Sequence, residues 1–159
     1  MENPKSEEFM RVAIELSLNG VNNSEGGPFG AVVVKDGEIV GRGKNCVTSS
    51  NDPTAHAEVV AIRDACQNLN TFQLDGCEIY TSCEPCPMCL GAIYWARPAK
   101  IYYACTKTDA SDHGFDDSFI YEEIELPISE RKIPTSQMLR EEGIKVFEEW
   151  DAKNDKTLY

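Results

Sequence analysis

Two short segments, His56-Ala57-Glu58 and Pro85-Cys86-Pro87-Met88-Cys89, constrain this chain most, because their donor groups gain a use only if the fold brings them to one point. Together they offer an imidazole, two thiols and a carboxylate. A catalytic zinc takes three protein ligands and leaves its fourth position to water, whereas a structural zinc is closed by four. Local sequence favours such a convergence. With Pro87 as first helical residue, Cys86 becomes the cap and Cys89 falls within the same turn, so both sulfurs meet at a helix N-terminus, where the dipole and unpaired N–H groups favour thiolates. Asp52-Pro53-Thr54 reads as a second helix start, Asp capping and Pro in the first helical position, with the helix running through Val59, Val60, Ile62 and Ala65. That places His56 in the first turns of the helix. Glu58, two residues on, does not share its face. It is poorly placed as a second ligand beside His56 and is free to move a proton instead.

The rest of the chain supplies a scaffold. Ser6 followed by Phe9, Met10, Ala13, Ile14 and Leu16 predicts a capped amphipathic helix stopping at Asn19-Gly20. Asp36-Gly37 between 29–35 and 38–43 predicts a tight hairpin. Short strands are expected over 78–81 and 100–105, with a helix from Pro85-Cys86-Pro87 to about Ala96, stopped by Arg97-Pro98. Beyond Thr106 the pattern is polar to Gly114. A short helix follows over 117–123, then an extended stretch near 132–134. Ile144, Phe147 and Trp150 show helical spacing in an acidic C-terminal segment that Gly143 interrupts. Alternating hairpin, helix, strand, helix and strand defines an α/β fold: a three-layer α/β/α sandwich around a central mixed sheet.

At 159 residues the expectation is a single domain, 1–159. The net charge of −12, with Lys and Arg scattered, disfavours a nucleic-acid partner, since affinity for phosphate backbones comes from clustered cations. Apolar runs are too short to cross a bilayer and the start carries no apolar signal region, so no membrane association and a cytoplasmic location are expected. Seven cysteines, three of them within 83–89, suit metal binding in a reducing compartment better than a disulfide framework. Plainer readings compete. Cys83 forms a second C-x-x-C with Cys86, so a closed structural site of His56, Cys83, Cys86 and Cys89 is an alternative, but it leaves Glu58 without a role. A redox pair explains neither His56 nor Glu58.

The His-x-Glu and Pro-Cys-x-x-Cys pair is the signature of zinc nucleobase deaminases, and the chain resembles the cytidine-deaminase-like superfamily and, within it, the bacterial guanine deaminase family. The likeness runs to about Pro134 and is carried by the segments 27–31, 51–58, 81–96 and 114–121. The zinc motifs specify the superfamily; Gly114-Phe115-Asp116-Asp117 and the terminal Tyr159 narrow it to the guanine branch. The resemblance implies a Zn²⁺ cofactor held by His56, Cys86 and Cys89, with Glu58 as proton shuttle. It implies that Asn45 hydrogen-bonds the purine edge, and that Asp117 contacts the base and helps move protons to the departing amine. Phe29 and Trp95 resemble the aromatic residues lining the base pocket. Read alone, Asn45 is a turn residue, Asp117 a helix cap, and Phe29 or Trp95 core. The implied partner is a small-molecule purine, guanine first, with guanosine or an adenine compound as runner-up and a zinc-stabilised binding module without turnover as the reading from another class. A homodimer is also implied, able to exchange 135–159 between subunits, with Tyr159 closing a site.

Overall fold

The computed structural model describes residues 5–159 as two compact units, one reaching Asp117 and one spanning Ser118–Tyr159. The first holds helix α1 (Ser6–Asn22), strands β1 (Gly30–Lys35) and β2 (Glu38–Lys44), and helices α2 (Val47–Ser50) and α3 (Ala57–Leu69). Strand β3 (Glu78–Cys83), helix α4 (Pro87–Ala96), strand β4 (Lys100–Cys105) and helix α5 (Lys107–Asp112) complete it. The second holds α6 (Ser118–Glu125), a 3₁₀ turn (Ile128–Glu130) and α7 (Arg140–Ala152).

The four strands form one mixed sheet in the order β2-β1-β3-β4, with β1 antiparallel to both neighbours and β3 parallel to β4. Asp36 and Gly37 both take positive φ, 50° and 80°, the conformation a two-residue hairpin needs to match strand twist. β1, Gly-Ala-Val-Val-Val-Lys, is buried on both faces, as its unbroken apolar run requires of a central strand. Val32 and Val34 point to one side and pack with Phe9 and Tyr80 against α1. Ala31 and Val33 point to the other and pack with Ala57, Ala61, Ala65 and Ile93 of α3 and α4. Helices on both faces of a mixed sheet make the expected three layers.

Small residues set how closely α3 approaches the sheet. A Cβ on Gly43 would overlap the carbonyl of Ala57 and lie 2.5 Å from the nitrogen of Ala61; one on Gly41 would lie 2.7 Å from the Ala65 Cβ. The two glycines of β2 thus form a seat for the alanine face of α3, and Ala57, at the point of contact, lies between His56 and Glu58.

Several boundaries differ from the sequence reading. α3 begins at Ala57, with His56 in extended backbone as its N-cap (φ −70°, ψ 154°). Asp52 caps no helix: its Oδ1 accepts from the backbone N–H and the hydroxyl of Thr54, at 2.8 and 2.6 Å, closing a local turn that competes with helix initiation. Ser6 is the first helical residue of α1 and its hydroxyl meets the Tyr80 phenol at 3.0 Å, while the helix runs two residues past Gly20. β3 extends to Cys83. α7 passes through Gly143, which costs about 1 kcal/mol relative to alanine but does not break a helix whose first turn carries Glu141 and Glu142.

Candidate metal and catalytic centre

Helix starts build the centre. Cys86 is the N-cap of α4, Pro87 occupies the first helical position, and the Cys89 backbone N–H donates to the Cys86 sulfur at 3.4 Å. Pro87 loses nothing by lacking an N–H there, and its fixed φ starts the turn that brings the two sulfurs together. His56, capping α3, presents Nδ1 to both sulfurs, 3.5 Å from Cys86 Sγ and 3.5 Å from Cys89 Sγ. All three donor atoms lie within 4.8 Å of one another. A tetrahedral zinc with bonds of about 2.1 Å to nitrogen and about 2.3 Å to sulfur needs donor separations of about 3.6–3.8 Å. The cluster therefore fits that ion with little adjustment.

The electrostatics agree. The Cys86 thiol is held down to about 4, chiefly by the hydrogen bond from Cys89, with His56 and the Cys89 N–H adding to it. Cys89 is pushed up, because without a metal the two sulfurs share one proton and because it is buried beside Glu58. His56 is raised by its hydrogen bond to Cys86. A site with one sulfur already held as thiolate beside an imidazole is ready to take up a cation in exchange for protons.

Glu58 is buried, 6 % exposed. Its Oε2 lies 3.4 Å from Cys89 Sγ, and its Oε1 lies 3.3 Å from the Thr81 hydroxyl, which also reaches the Cys83 carbonyl at 3.0 Å. Burial raises its pKa, the direction a group that must both take and give a proton near neutrality requires. Cys83 does not join the cluster. Its sulfur faces the Thr106 carbonyl at 3.5 Å, burial pushes the thiol up to about 11, and the metal-ligating group found among the described residues has three members. The closed four-ligand alternative lacks its fourth donor.

The other expected residues divide. Asn45, 6 % exposed, sits just past β2 with Oδ1 accepting from the N–H groups of Gly27 and Val47 at 3.1 and 3.2 Å. Phe29 is half-buried and meets Phe115 edge-on, centroids 5.0 Å apart. Asp117 is half-buried, with its pKa raised by that burial and by the Cys86 thiolate. Trp95 lies near the C-terminal end of α4, 65 % exposed, almost two turns beyond Cys89. Tyr159 ends the second unit and is exposed.

Sequence reasoning gave no role to Phe115, Thr81 or Glu84. Glu84 accepts from the backbone N–H of Lys107 at 3.0 Å, tying the start of α5 to the cysteine loop. α5 falls in the stretch that the sequence reading left as polar and without a helix; the signal that could have found it is Thr106-x-x-Asp109, which forms its capping box. Nothing in the sequence marked Thr81, one threonine in a strand.

A mixed sheet with two helix starts converging on one imidazole and two thiols, a buried carboxylate beside them, is the architecture of a zinc-dependent deaminase. Residues 3–105 match the model of the cytidine and deoxycytidylate deaminase zinc-binding region, and the chain belongs to that family. Within it, the chain is 60 % identical over 153 residues to the guanine deaminase of Bacillus subtilis, covering 96 % of this chain and 98 % of that one. The X-ray structure of guanine deaminase from that organism superposes with a TM-score of 0.94 at 56 % identity, covering 99 % of both chains. The guanine deaminase structure from Nitrosomonas europaea matches at a TM-score of 0.67 and 34 % identity, covering 74 % of this chain and 66 % of that one. The tRNA-specific adenosine deaminase of Aquifex aeolicus is 43 % identical over 98 residues, covering 62 % of this chain and 64 % of that one. Among the described residues no helix is long and apolar enough to cross a membrane.

Proposed function

We propose that this chain hydrolyses guanine to xanthine and ammonia, using a zinc ion held by His56, Cys86 and Cys89. The observation that carries the reading is the three-donor cluster with Glu58, a carboxylate that is not one of the donors, 3.4 Å from one of its sulfurs. When bound, zinc activates water for attack on the carbon bearing the exocyclic amine. Glu58 takes the proton that the water gives up as the C–O bond forms, passes it to the adjacent ring nitrogen, and then serves the amine as the C–N bond breaks. Water supplies the oxygen of xanthine and the hydrogen that completes ammonia. Asn45 is the hydrogen-bonding partner of the purine edge. Asp117, its proton held more tightly than usual, contacts the base and assists the departing amine. Phe29, Trp95 and Tyr159 are proposed as further substrate contacts.

The preference for guanine is supported by likeness beyond Cys105, where the family model ends: the Bacillus relative aligns over nearly all of this chain. The adenosine-deaminase likeness favours an adenine compound as second reading, against which stands the charge of −12, unsuited to a tRNA backbone. We take the working form to be a homodimer that exchanges 135–159, acting in the cytoplasm, where its free thiols stay reduced. Incubating the zinc-loaded protein with guanine, guanosine, adenine, adenosine, cytosine and cytidine while measuring ammonia tests the assignment. Release from guanine above all others is expected; preferential release from adenosine would replace it, and silence on all six would leave a zinc-stabilised binding module.

A further inference from the structure

The loop between α1 and β1 fixes an orientation that the reaction depends on. We propose that Gly26 is a positioning residue for Asn45: it leaves the room in which the Asn45 amide turns its oxygen to the loop and offers its NH₂ to the substrate. This rests on the reading of Asn45 as the purine contact.

Asn45 Oδ1 accepts from two backbone N–H groups, those of Gly27 at 3.1 Å and Val47 at 3.2 Å. Both partners are donors, so only the oxygen end of the amide can face them. The polar group left for a ligand is the NH₂, and the substrate atom opposite it must be an acceptor, a ring nitrogen or a carbonyl oxygen.

Gly26 is what allows this grip. A Cβ there would overlap both the backbone oxygen and Oδ1 of Asn45 and would lie 2.8 Å from the Asn45 carbonyl carbon. Neither side has slack. Asn45 is held at the end of β2 by its own N–H to the Phe29 carbonyl at 3.0 Å. The loop is anchored just before Gly26, where the Glu25 carboxylate pairs with Lys44, and the Glu25 carbonyl accepts from the Thr48 hydroxyl at 3.2 Å and the Ser49 N–H at 3.3 Å. A methyl group at Gly26 must therefore push away both the backbone carbonyl and the side-chain amide of Asn45. Gly27, the donor, is confined too: a Cβ there would lie 3.2 Å from the Phe29 ring and 3.3 Å from that of Phe115.

The test is a double-mutant cycle on the zinc-loaded full chain, reading KM and kcat for guanine and zinc content, with Gly26→Ala, Asn45→Ala, their combination, and Asn45→Asp. A displaced hydrogen bond to a neutral ligand is worth about a 3- to 10-fold rise in KM. Gly26→Ala is expected to show that rise with kcat and zinc content little changed, and to add nothing in the Asn45→Ala background. Equal factors in both backgrounds would make Gly26 an independent structural residue and overturn the proposal. Asn45→Ala at wild-type KM would remove the Asn45 reading itself, and with it this one. Asn45→Asp covers the case in which Gly26→Ala does not fold. It keeps an oxygen for the two N–H groups but turns an acceptor on the substrate, so its KM should exceed that of Asn45→Ala near neutrality. A KM at or below the alanine value would refute the orientation.

Discussion

Glu58→Gln separates chemistry from architecture. The amide has the shape of the carboxyl it replaces. Its oxygen can still accept from the Thr81 hydroxyl, 3.3 Å from Oε1 in the native protein, and its nitrogen, in the place of Oε2, can donate to the Cys89 sulfur 3.4 Å away. The zinc donors do not include Glu58, so metal content should stay at the wild-type value. What disappears is a group able to accept and return a proton. Loss of general acid/base catalysis costs about 10²–10⁴ in rate, or about 3–5 kcal/mol of barrier. Stability should move the other way. Burial raises the pKa of Glu58, so its ionised form is less favourable in the folded than in the unfolded protein. A group with a raised folded pKa gives up stability as pH rises through that pKa. Zinc-free Glu58→Gln should therefore match the wild type in acid and become the more stable of the two as pH rises. Xanthine formation from guanine, zinc content by elemental analysis and thermal melts at several pH values check the three claims. Turnover within about tenfold of wild type at full zinc occupancy would refute the role given to Glu58.

Further outcomes follow from the same geometry. Cys83→Ala should keep its zinc and most of its activity, whereas His56→Ala, Cys86→Ala and Cys89→Ala should each lose metal; zinc loss from Cys83→Ala would restore the four-ligand site. In the zinc-free protein the ultraviolet absorbance of the Cys86 thiolate should persist below neutrality and vanish with a midpoint of about 4, and Cys86→Ser should abolish it. Loss near the ordinary thiol range would contradict the arrangement. Gly43→Ala should overpack the seat of α3, costing about 1–3 kcal/mol and lowering melting temperature and zinc affinity together. Gly91→Ala, in α4 with nothing within 4 Å of the added methyl, should be neutral or stabilising by up to about 1 kcal/mol; a Gly43 variant behaving like the Gly91 one would refute the tight seat.

The chemistry of the centre was legible in the sequence because its signals are local. Cys86-Pro87-x-Cys89 states both the ligands and the helix start that joins them, and Asp36-Gly37 states its own turn. The start of α3 was misplaced because Asp52 can cap a helix or close a turn, and the choice depends on Thr54 and on the surface against which α3 must rest. That surface, Gly41 and Gly43 beneath Ala57, Ala61 and Ala65, is a contact between segments that no window of sequence displays. The same holds for Thr81 beside Glu58 and for Gly26 beside Asn45. A strand threonine and a loop glycine acquire meaning only when the sheet brings a second segment alongside. The second helix start differs from expectation by four residues, yet His56 still reaches the cysteines, because an N-cap projects over the helix end as a first-turn residue does.

Titrating the zinc-free protein with zinc while following conversion of guanine to xanthine tests the central claim most directly. Activity should rise in proportion to added metal and stop at one equivalent per chain, with ammonia matching xanthine. Full turnover before zinc is added, or none on guanine once the equivalent is bound, would contradict the account.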